Sequence, residues 1–247
     1  MSVEKSVYDA IAKDYHLKKR KPWKAFENFI EFLRKKDYDF SGYTIDLGCA
    51  NGRNFEVLSN SVTLIGIDNS FELLNIAKTN LRNFDKSKKD LRNKIHLILS
   101  DIRYIPLRFN SVNNIFSIAT IHHLKTKSER EKVIAQIYEL LKFGGYCFIT
   151  VWRKYQKKYR SFYIKDLIKR TYSPTYKKKQ ELKGLLNYGD IFIPWTVSSK
   201  KETYSRFYHL FSKREAKHLI KKFKIQEFHK FGGPNKEDNF FILVQKL

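Results

Sequence analysis

Apolar residues recur along this chain at two different periods, and the chain switches between them repeatedly. Residues 43–47, 62–68, 95–99, 112–121 and 146–152 are short runs rich in Ile, Val, Leu and aromatics, a pattern that predicts strands. Residues 51–60, 71–82 and 128–142 space their apolar positions three and four apart, which predicts helices. Strand and helix in alternation imply a mostly parallel sheet with helices on both faces. Two further helices, over 3–15 and 22–36, precede the sheet, and Pro22 suits a first helical turn. Gly144-Gly145 is read as the C-cap of the helix that ends at Lys142. Near the end, 213–223 is helical, and the runs 224–230 and 239–245 flank Gly232-Gly233-Pro234-Asn235 as an antiparallel hairpin. The expectation is one α/β domain over 1–247: a doubly wound, mostly parallel seven-stranded sheet with an antiparallel C-terminal hairpin.

Charge adds a partner class to this picture. Lys and Arg number 49 against 25 Asp and Glu in 247 residues, a formal net charge of +24, well beyond what solubility asks of a surface. A polyanion follows. Nucleic acid is favoured over an anionic membrane, because no helix joins a basic face to a strongly apolar one. The excess concentrates in residues 153–183, where 12 basic residues meet 2 acidic ones with Tyr155, Tyr159, Phe162, Tyr163, Tyr172 and Tyr176 among them. This basic insertion, about 153–205, breaks the alternation and offers phosphate contacts and stacking surfaces for unpaired bases. No run approaches the roughly 18 to 20 apolar residues of a membrane span, and the first residues lack an apolar signal core. A cytoplasmic protein is expected. Cys49 and Cys147 are the only cysteines, too few for a disulfide framework or a zinc set, so no metal is expected.

The chemistry is carried by strand ends. Asp46-Leu-Gly48-Cys-Ala50-Asn-Gly52 follows the first strand, and the second ends at Asp68-Asn69. A glycine-rich turn that opens a helix lets backbone approach a ligand closely, and an acid about 20 residues on can hold ribose hydroxyls. The spacing G-x-A-x-G, with an acid two residues ahead, departs from the dinucleotide form. It suits S-adenosylmethionine, whose cationic amino group Asp46 can meet. Asp101 at the third strand end, or backbone beside it, can accept from the adenine amino group; Ile102 and Ala119 complete the candidate cofactor set. Together these residues point to a class I methyltransferase, a Rossmann-like fold. The fourth strand runs into Ser117-Ile-Ala-Thr-Ile-His-His-Leu124. It lacks the Asp/Asn-Pro-Pro-aromatic loop of base-amine methylation and the cysteine of pyrimidine-carbon methylation. His122 and His123 cannot both face a pocket from an extended segment, so one is structural.

Val7-Tyr8-Asp9-Ala-Ile-Ala-Lys-Asp14-Tyr15, Lys19-Arg20-Lys-Pro-Trp23, residues 46–53, Ser117 to Leu124, Val151-Trp152, Gly189-Asp-Ile-Phe-Ile-Pro-Trp195 and Arg206-Phe-Tyr208-His209-Leu-Phe211 together resemble the tRNA wobble-uridine carboxymethyl methyltransferase family. The resemblance spans nearly the whole chain. It implies esterification of a 5-carboxymethyl group on the first anticodon uridine, with Lys19, Arg20, His123 and Arg206 placing the carboxylate and no general base. It further implies that Tyr8, Trp152, Tyr208 and His209 shape or stack on the base. Two departures stand out: Ala50 replaces the usual mid-turn glycine, which is acceptable away from positive φ, and Lys19 stands where the family has arginine. The family implies a small zinc-containing activator protein as heterodimer partner, and the third strand, 94–101, at a sheet edge would receive it. Other readings are a methyltransferase of a small carboxylate or hydroxyl metabolite, and a non-catalytic tRNA-binding subunit.

Overall fold

The computed structural model describes residues 6–58, 62–82 and 94–247. The chain opens with α1 (Val7–Lys18) and α2 (Lys24–Arg34), then alternates β1 (Gly42–Leu47), α3 (Phe55–Leu58), β2 (Val62–Asp68), α4 (Phe71–Arg82), β3 (Ile95–Leu99), β4 (Val112–Ile118), a 3-10 turn (Ile121–His123), α5 (Lys127–Leu140) and β5 (Leu141–Trp152). After these come α6 (Arg160–Tyr172), α7 (Pro174–Leu182), β6 (Asp190–Thr196), β7 (Thr203–His209), α8 (Lys213–Leu219), β8 (Lys224–Phe231) and β9 (Asn239–Gln245).

Seven strands form one sheet in the order β3-β2-β1-β4-β5-β9-β8, with the first five parallel and β9 antiparallel to both its neighbours. The expected architecture and its C-terminal hairpin are therefore present. A separate two-stranded antiparallel sheet, β6-β7, stands apart from it. Alternate residues of the strands feed two cores. Ile45, Ile115, Cys147, Ile149 and Ile242 pack with Val133 and Ile137 of α5 on one face. Phe116, Phe148, Phe241 and Leu243 pack with Phe26, Phe29 and Leu33 of α2 on the other. Phe29 stacks on Phe148 with centroids 5.4 Å apart, and each ring so buried contributes about 1.5–3 kcal/mol.

Several boundaries depart from the periodicity, each for a local reason. Residues 3–5 of the first expected helix lie outside the described residues; within them Ser6 caps α1. Pro22 precedes the N-cap, Trp23, so it ends the incoming segment instead of entering the first turn of α2. The helix expected over 51–60 is confined to Phe55–Leu58, because residues 48–54 spend their backbone on the turn; 59 and 60 lie outside the described residues. Gly144-Gly145 is not a helix cap. The helix ends at Leu140, and Gly144 at φ +77° lies within β5, where the pairing jumps from Val112–Leu141 to Asn114–Tyr146. β4 stops at Ile118, since Ala119 turns to φ +55° and Thr120 leads into the 3-10 turn.

Candidate active site

The carboxyl ends of β1, β2, β3 and β4 all open on one edge of the sheet, the place where open α/β sheets bind ligands. At the end of β1, Asp46 is 1% exposed, and its Oδ2 has no hydrogen-bond partner. Burial, reinforced by the charge of Asp68 and opposed by that of Arg53, pushes its pKa up to about 7. A buried carboxylate with a free oxygen is costly and calls for a cationic partner. Gly48, at φ +81°, takes the chain over the turn; a Cβ there would lie 2.3 Å from Thr120 Oγ1. Ala50 follows at φ +51°, so the alanine does occupy the left-handed region, contrary to the expectation. Its N–H is held by Asp68 Oδ2 at 2.8 Å, and Asp68 Oδ1 accepts from Ser70 N at 2.9 Å. These bonds fix the orientation of Asp68, and each oxygen keeps a lone pair for ribose hydroxyls. Burial nevertheless raises Asp68 to about 6.

Gly52 and Ile102 are buried, Asn69 is exposed on the rim, and Ala119 N donates to Thr150 Oγ1 at 2.8 Å. Asp101 is different from the expectation for its side chain. Arg103 takes the carboxylate through its backbone N–H and through Nε and Nη2, the last at 2.7 Å, and it continues to Glu129 Oε1 at 2.6 Å. The side chain of Asp101 is thus a turn cap and ion-pair partner, and only the adjacent backbone remains for an adenine.

Across the same edge, α1 and the β6-β7 hairpin build an aromatic enclosure. Phe211 N donates to Trp152 O at 2.7 Å, which ties the end of β7 to the end of β5. Tyr208 is thereby stacked on Trp152 (4.6 Å) and on His122 (5.1 Å), and Trp152 also stacks on Tyr159. Trp152 walls the enclosure, its ring already occupied by its own neighbours. His123 Nδ1 lies 2.9 Å from Phe207 O, an atom that only accepts, so Nδ1 carries the proton. Nε2 then accepts from the Tyr8 hydroxyl at 3.0 Å. Burial lowers His123 to about 4, so the ring is neutral. Both histidines sit in the 3-10 turn, not in an extended segment: His122 is packed under Tyr208 and His123 reaches α1.

Arg206 is 8% exposed, with its guanidinium 4.5 Å from the Trp195 ring centroid and 5.3 Å from that of Tyr208. Its Nε has no partner, and no ion pair among the described residues engages it. Trp195 is held in turn by Asp14 of α1, whose Oδ2 accepts from Nε1 at 2.8 Å while Oδ1 accepts from Ser198 N at 3.0 Å. Desolvation and the nearby charges of Arg53 and Arg206 pull the Lys19 ammonium below its usual pKa, which places three cations around one space. Arg20 is exposed beside His16 and adds to the rim. His209 does not belong to the enclosure's inner wall: it is 2% exposed, and its ring nitrogens face Asp190 Oδ1 (2.6 Å) and Glu215 Oε1 (3.7 Å). It braces the hairpin, because two carboxylates occupy both of its polar atoms.

Trp195, Arg53, Asp14 and Tyr15, whose ring lies 5.7 Å from that of Trp195 and 6.1 Å from that of Tyr8, are site residues that the sequence reading did not assign. The first stands in the Ile-Pro-Trp segment and the second directly after the glycine turn, so position in a selective motif was the available signal.

A family model described as a methyltransferase domain matches residues 45–149. The chain is 27% identical over 223 residues to a tRNA (carboxymethyluridine(34)-5-O)-methyltransferase of Schizosaccharomyces pombe, covering 87% of this chain and 84% of that relative. It is 30% identical over 151 residues to a protein of the same name from Arabidopsis thaliana, which covers 61% of this chain and 33% of that relative. Among solved structures, a SAM-dependent methyltransferase from Methanosarcina mazei superposes with a TM-score of 0.68 at 20% identity, over 87% of this chain and 97% of the other, a likeness of fold. The buried acid at β1, the glycine turn and the acid at β2 agree with these matches: residues 45–149 form an S-adenosylmethionine-dependent methyltransferase domain of class I fold, in a chain similar to the tRNA (carboxymethyluridine(34)-5-O)-methyltransferases.

Proposed function

We propose that the protein transfers a methyl group from S-adenosylmethionine to the carboxylate of 5-carboxymethyluridine at the wobble position of tRNA, giving the methyl ester. The observation that carries the reading is Arg206, a buried guanidinium between two aromatic rings with an unpaired Nε and no carboxylate partner among the described residues. A planar fork in that position matches a carboxylate. Tyr8, Trp195 and Tyr208 around it suit a base lifted out of the anticodon stack.

S-adenosylmethionine supplies a methyl group made electrophilic by its positively charged sulfur. The orphaned Asp46 Oδ2 fits its amino group, and Asp68, with Asn69 on the rim, fits its ribose. The substrate carboxylate, with an ordinary pKa near 4, is ionised at neutral pH and needs no base. Arg206 directs one of its oxygens and leaves lone pairs on the other to face the methyl carbon. The Tyr8–His123–Phe207 chain of hydrogen bonds keeps the wall of the enclosure rigid. Alignment of this kind can supply about 7–11 kcal/mol of the barrier.

For the tRNA body, α6 and α7 are the natural platform. Lys165, Lys169, Lys177, Lys178 and Lys179 are exposed there, as is Tyr172 at 82%, whereas Tyr159 and Tyr163 are buried and serve packing. Among the described residues no helix is long and apolar enough to cross a membrane. A cytoplasmic site of action accords with the substrate. β3 ends the sheet, with Leu99 54% exposed, and this edge supports a heterodimer with a small zinc-containing activator protein.

Incubation with tRNA and labelled cofactor, followed by nucleoside analysis, tests the reading. An alkali-labile methyl ester of carboxymethyluridine is expected. Label on a free metabolite with none on tRNA would overturn it.

A further inference from the structure

Outside the site, residues 213–224 read Lys-Arg-Glu-Ala-Lys-His-Leu-Ile-Lys-Lys-Phe-Lys, with six lysines and arginines against one acid. That acid, Glu215, is already engaged by Lys154 Nζ at 2.7 Å and Ser212 N at 2.8 Å. All six cations are exposed, and none has an ion pair among the described residues. Exposed lysines elsewhere are matched, Lys24 to Glu27, Lys35 to Glu31, Lys36 to Glu227 and Lys127 to Glu131, so this face holds charge in surplus. Ala216, Ile220 and Phe223 pack into the core beside α5 and turn the cations outward. Lys213 and Lys217, one turn apart, stand 5.9 and 5.8 Å from the Phe228 ring centroid of β8. The row starts at the rim of the enclosure, because Ser212 follows Phe211, whose N–H bonds Trp152 O. It ends at Lys224, paired with Gln245, which in turn lies opposite Tyr146, about 20 Å down β5 from Trp152. At its near end it meets the insertion: the Lys154 ammonium that bonds Glu215 lies 5.4 Å from the Tyr163 ring centroid of α6.

We propose that Lys213, Arg214, Lys217, Lys221, Lys222 and Lys224 form a phosphate-binding face for a paired RNA stem, reaching from the rim of the enclosure to the far end of the sheet. This rests on the tRNA reading and deepens it, since it gives the unpaired loop and the paired stem different surfaces. Unpaired bases need rings to stack on, and α6 presents Phe162 and Tyr172 in the open among its lysines. Residues 213–224 expose no Phe, Tyr or Trp: Phe223 is buried, and Phe228 beside them is half-buried near Lys213 and Lys217. Cations without stacking partners suit backbone phosphates, which a duplex presents whatever its sequence. A stem that continues from a loop seated at the enclosure lies along α8 and the β8 edge of the sheet, and leaves the opposite edge, β3, open.

Fluorescence anisotropy across a salt series decides the matter, with whole tRNA and a single-stranded oligonucleotide of the anticodon-loop sequence as ligands. Lys217→Gln, Lys221→Gln, Lys222→Gln and Lys224→Gln, made together, should weaken tRNA roughly ten- to a hundredfold and lower its salt slope by about two to four units, near one for each lost contact. Affinity for the oligonucleotide and for S-adenosylhomocysteine should hold, the latter showing that the variant is folded. Arginine at the same four positions should bind tRNA as the wild type does. Glutamine at Lys24, Lys35, Lys78 and Arg82 removes equal charge from the other side of the chain's charge balance and should change tRNA affinity by no more than about twofold. In the wild type, acetylation footprinting should find Lys217, Lys221, Lys222 and Lys224 shielded by tRNA and Lys24 and Lys35 open. Wild-type slope and affinity in the first variant, an equal loss in the control variant or in oligonucleotide binding, or absence of shielding would overturn the proposal. Anionic phospholipid vesicles that bind the wild type and not the variant, while tRNA binding persists, would assign the face to a membrane instead. Failure of the wild type to bind tRNA at all sinks the tRNA reading itself.

Discussion

Replacing Asp46 with Asn should move stability and cofactor affinity in opposite directions. The carboxyl is 1% exposed, and burial first, with Asp68 second, raises it from an ordinary 3.8 to about 7. A folded-state pKa above the unfolded one favours the native state only while the group stays protonated, so this contribution is lost as pH rises from 3.8 through about 7. At about 1.36 kcal/mol per pKa unit, the gap amounts to at most about 4 kcal/mol of destabilisation above pH 7. Asparagine keeps the shape and removes the charge, but its amide stays buried with imperfect partners at a cost of about 1–3 kcal/mol. The net gain at pH 8 should be about 1–3 kcal/mol, or roughly 3–10 °C in a protein of this size. Cofactor binding should fall roughly ten- to a hundredfold, because a charge-assisted bond is removed. Thermal melts of the ligand-free protein at pH 5 and 8, with and without S-adenosylhomocysteine, test both halves. At pH 5 variant and wild type should approach one another in stability. In the wild type, cofactor affinity should drop as pH falls below about 7, where ligand binding must first remove a proton. A variant less stable than wild type at pH 8, or a wild-type affinity that ignores pH between 5 and 8, would refute the argument.

Ala50→Gly should stabilise the fold by about 1–2 kcal/mol, since alanine pays for its φ of +51°, and differential scanning calorimetry should show a rise of a few degrees. Arg206→Lys should lower kcat/KM on carboxymethyluridine tRNA by roughly 10- to 150-fold with little change in tRNA affinity; equal losses in both would make Arg206 a backbone contact. Neutralising Lys165, Lys169, Lys177 and Lys178 should flatten the salt dependence of tRNA binding by about one unit of slope per lost phosphate contact while cofactor affinity holds. Asp14→Ala should free Trp195 and raise KM for tRNA more than it weakens S-adenosylhomocysteine, measured by steady-state kinetics beside calorimetry.

Elements that feed the two cores were readable from period alone: β1 and β2 run where the apolar runs predict, and β5 does so from Tyr146 on, although it begins earlier, at Leu141. The glycine turn and its acids were equally legible, since backbone geometry there demands particular residue types. What escaped was anything set by a distant partner. His209 carries the same motif signal as Tyr208, yet Asp190, 19 residues away, draws it out of the enclosure. Asp101 reads as an adenine contact until Arg103, itself anchored by Glu129 on the distant α5, claims its carboxylate. Ala50 gave no local sign of positive φ; the Asp68 carboxylate that bonds its N–H from another strand helps hold it there. Trp195 could be seen only as part of a segment, because its importance comes from Asp14 on a helix 181 residues earlier.

The enclosure has a further consequence for the fate of its product. An ester is vulnerable wherever a basic nitrogen stands ready to deprotonate water, yet His123 donates from Nδ1 to a carbonyl and accepts at Nε2 from Tyr8. His122 is buried, and desolvation holds it well below the usual histidine range, which makes it a feeble base. Hydrolysis therefore finds no assistance in the place where esterification is promoted. Once methylated, the acceptor is neutral and keeps only a carbonyl to offer Arg206, so the same guanidinium that draws the acid in holds the ester more weakly.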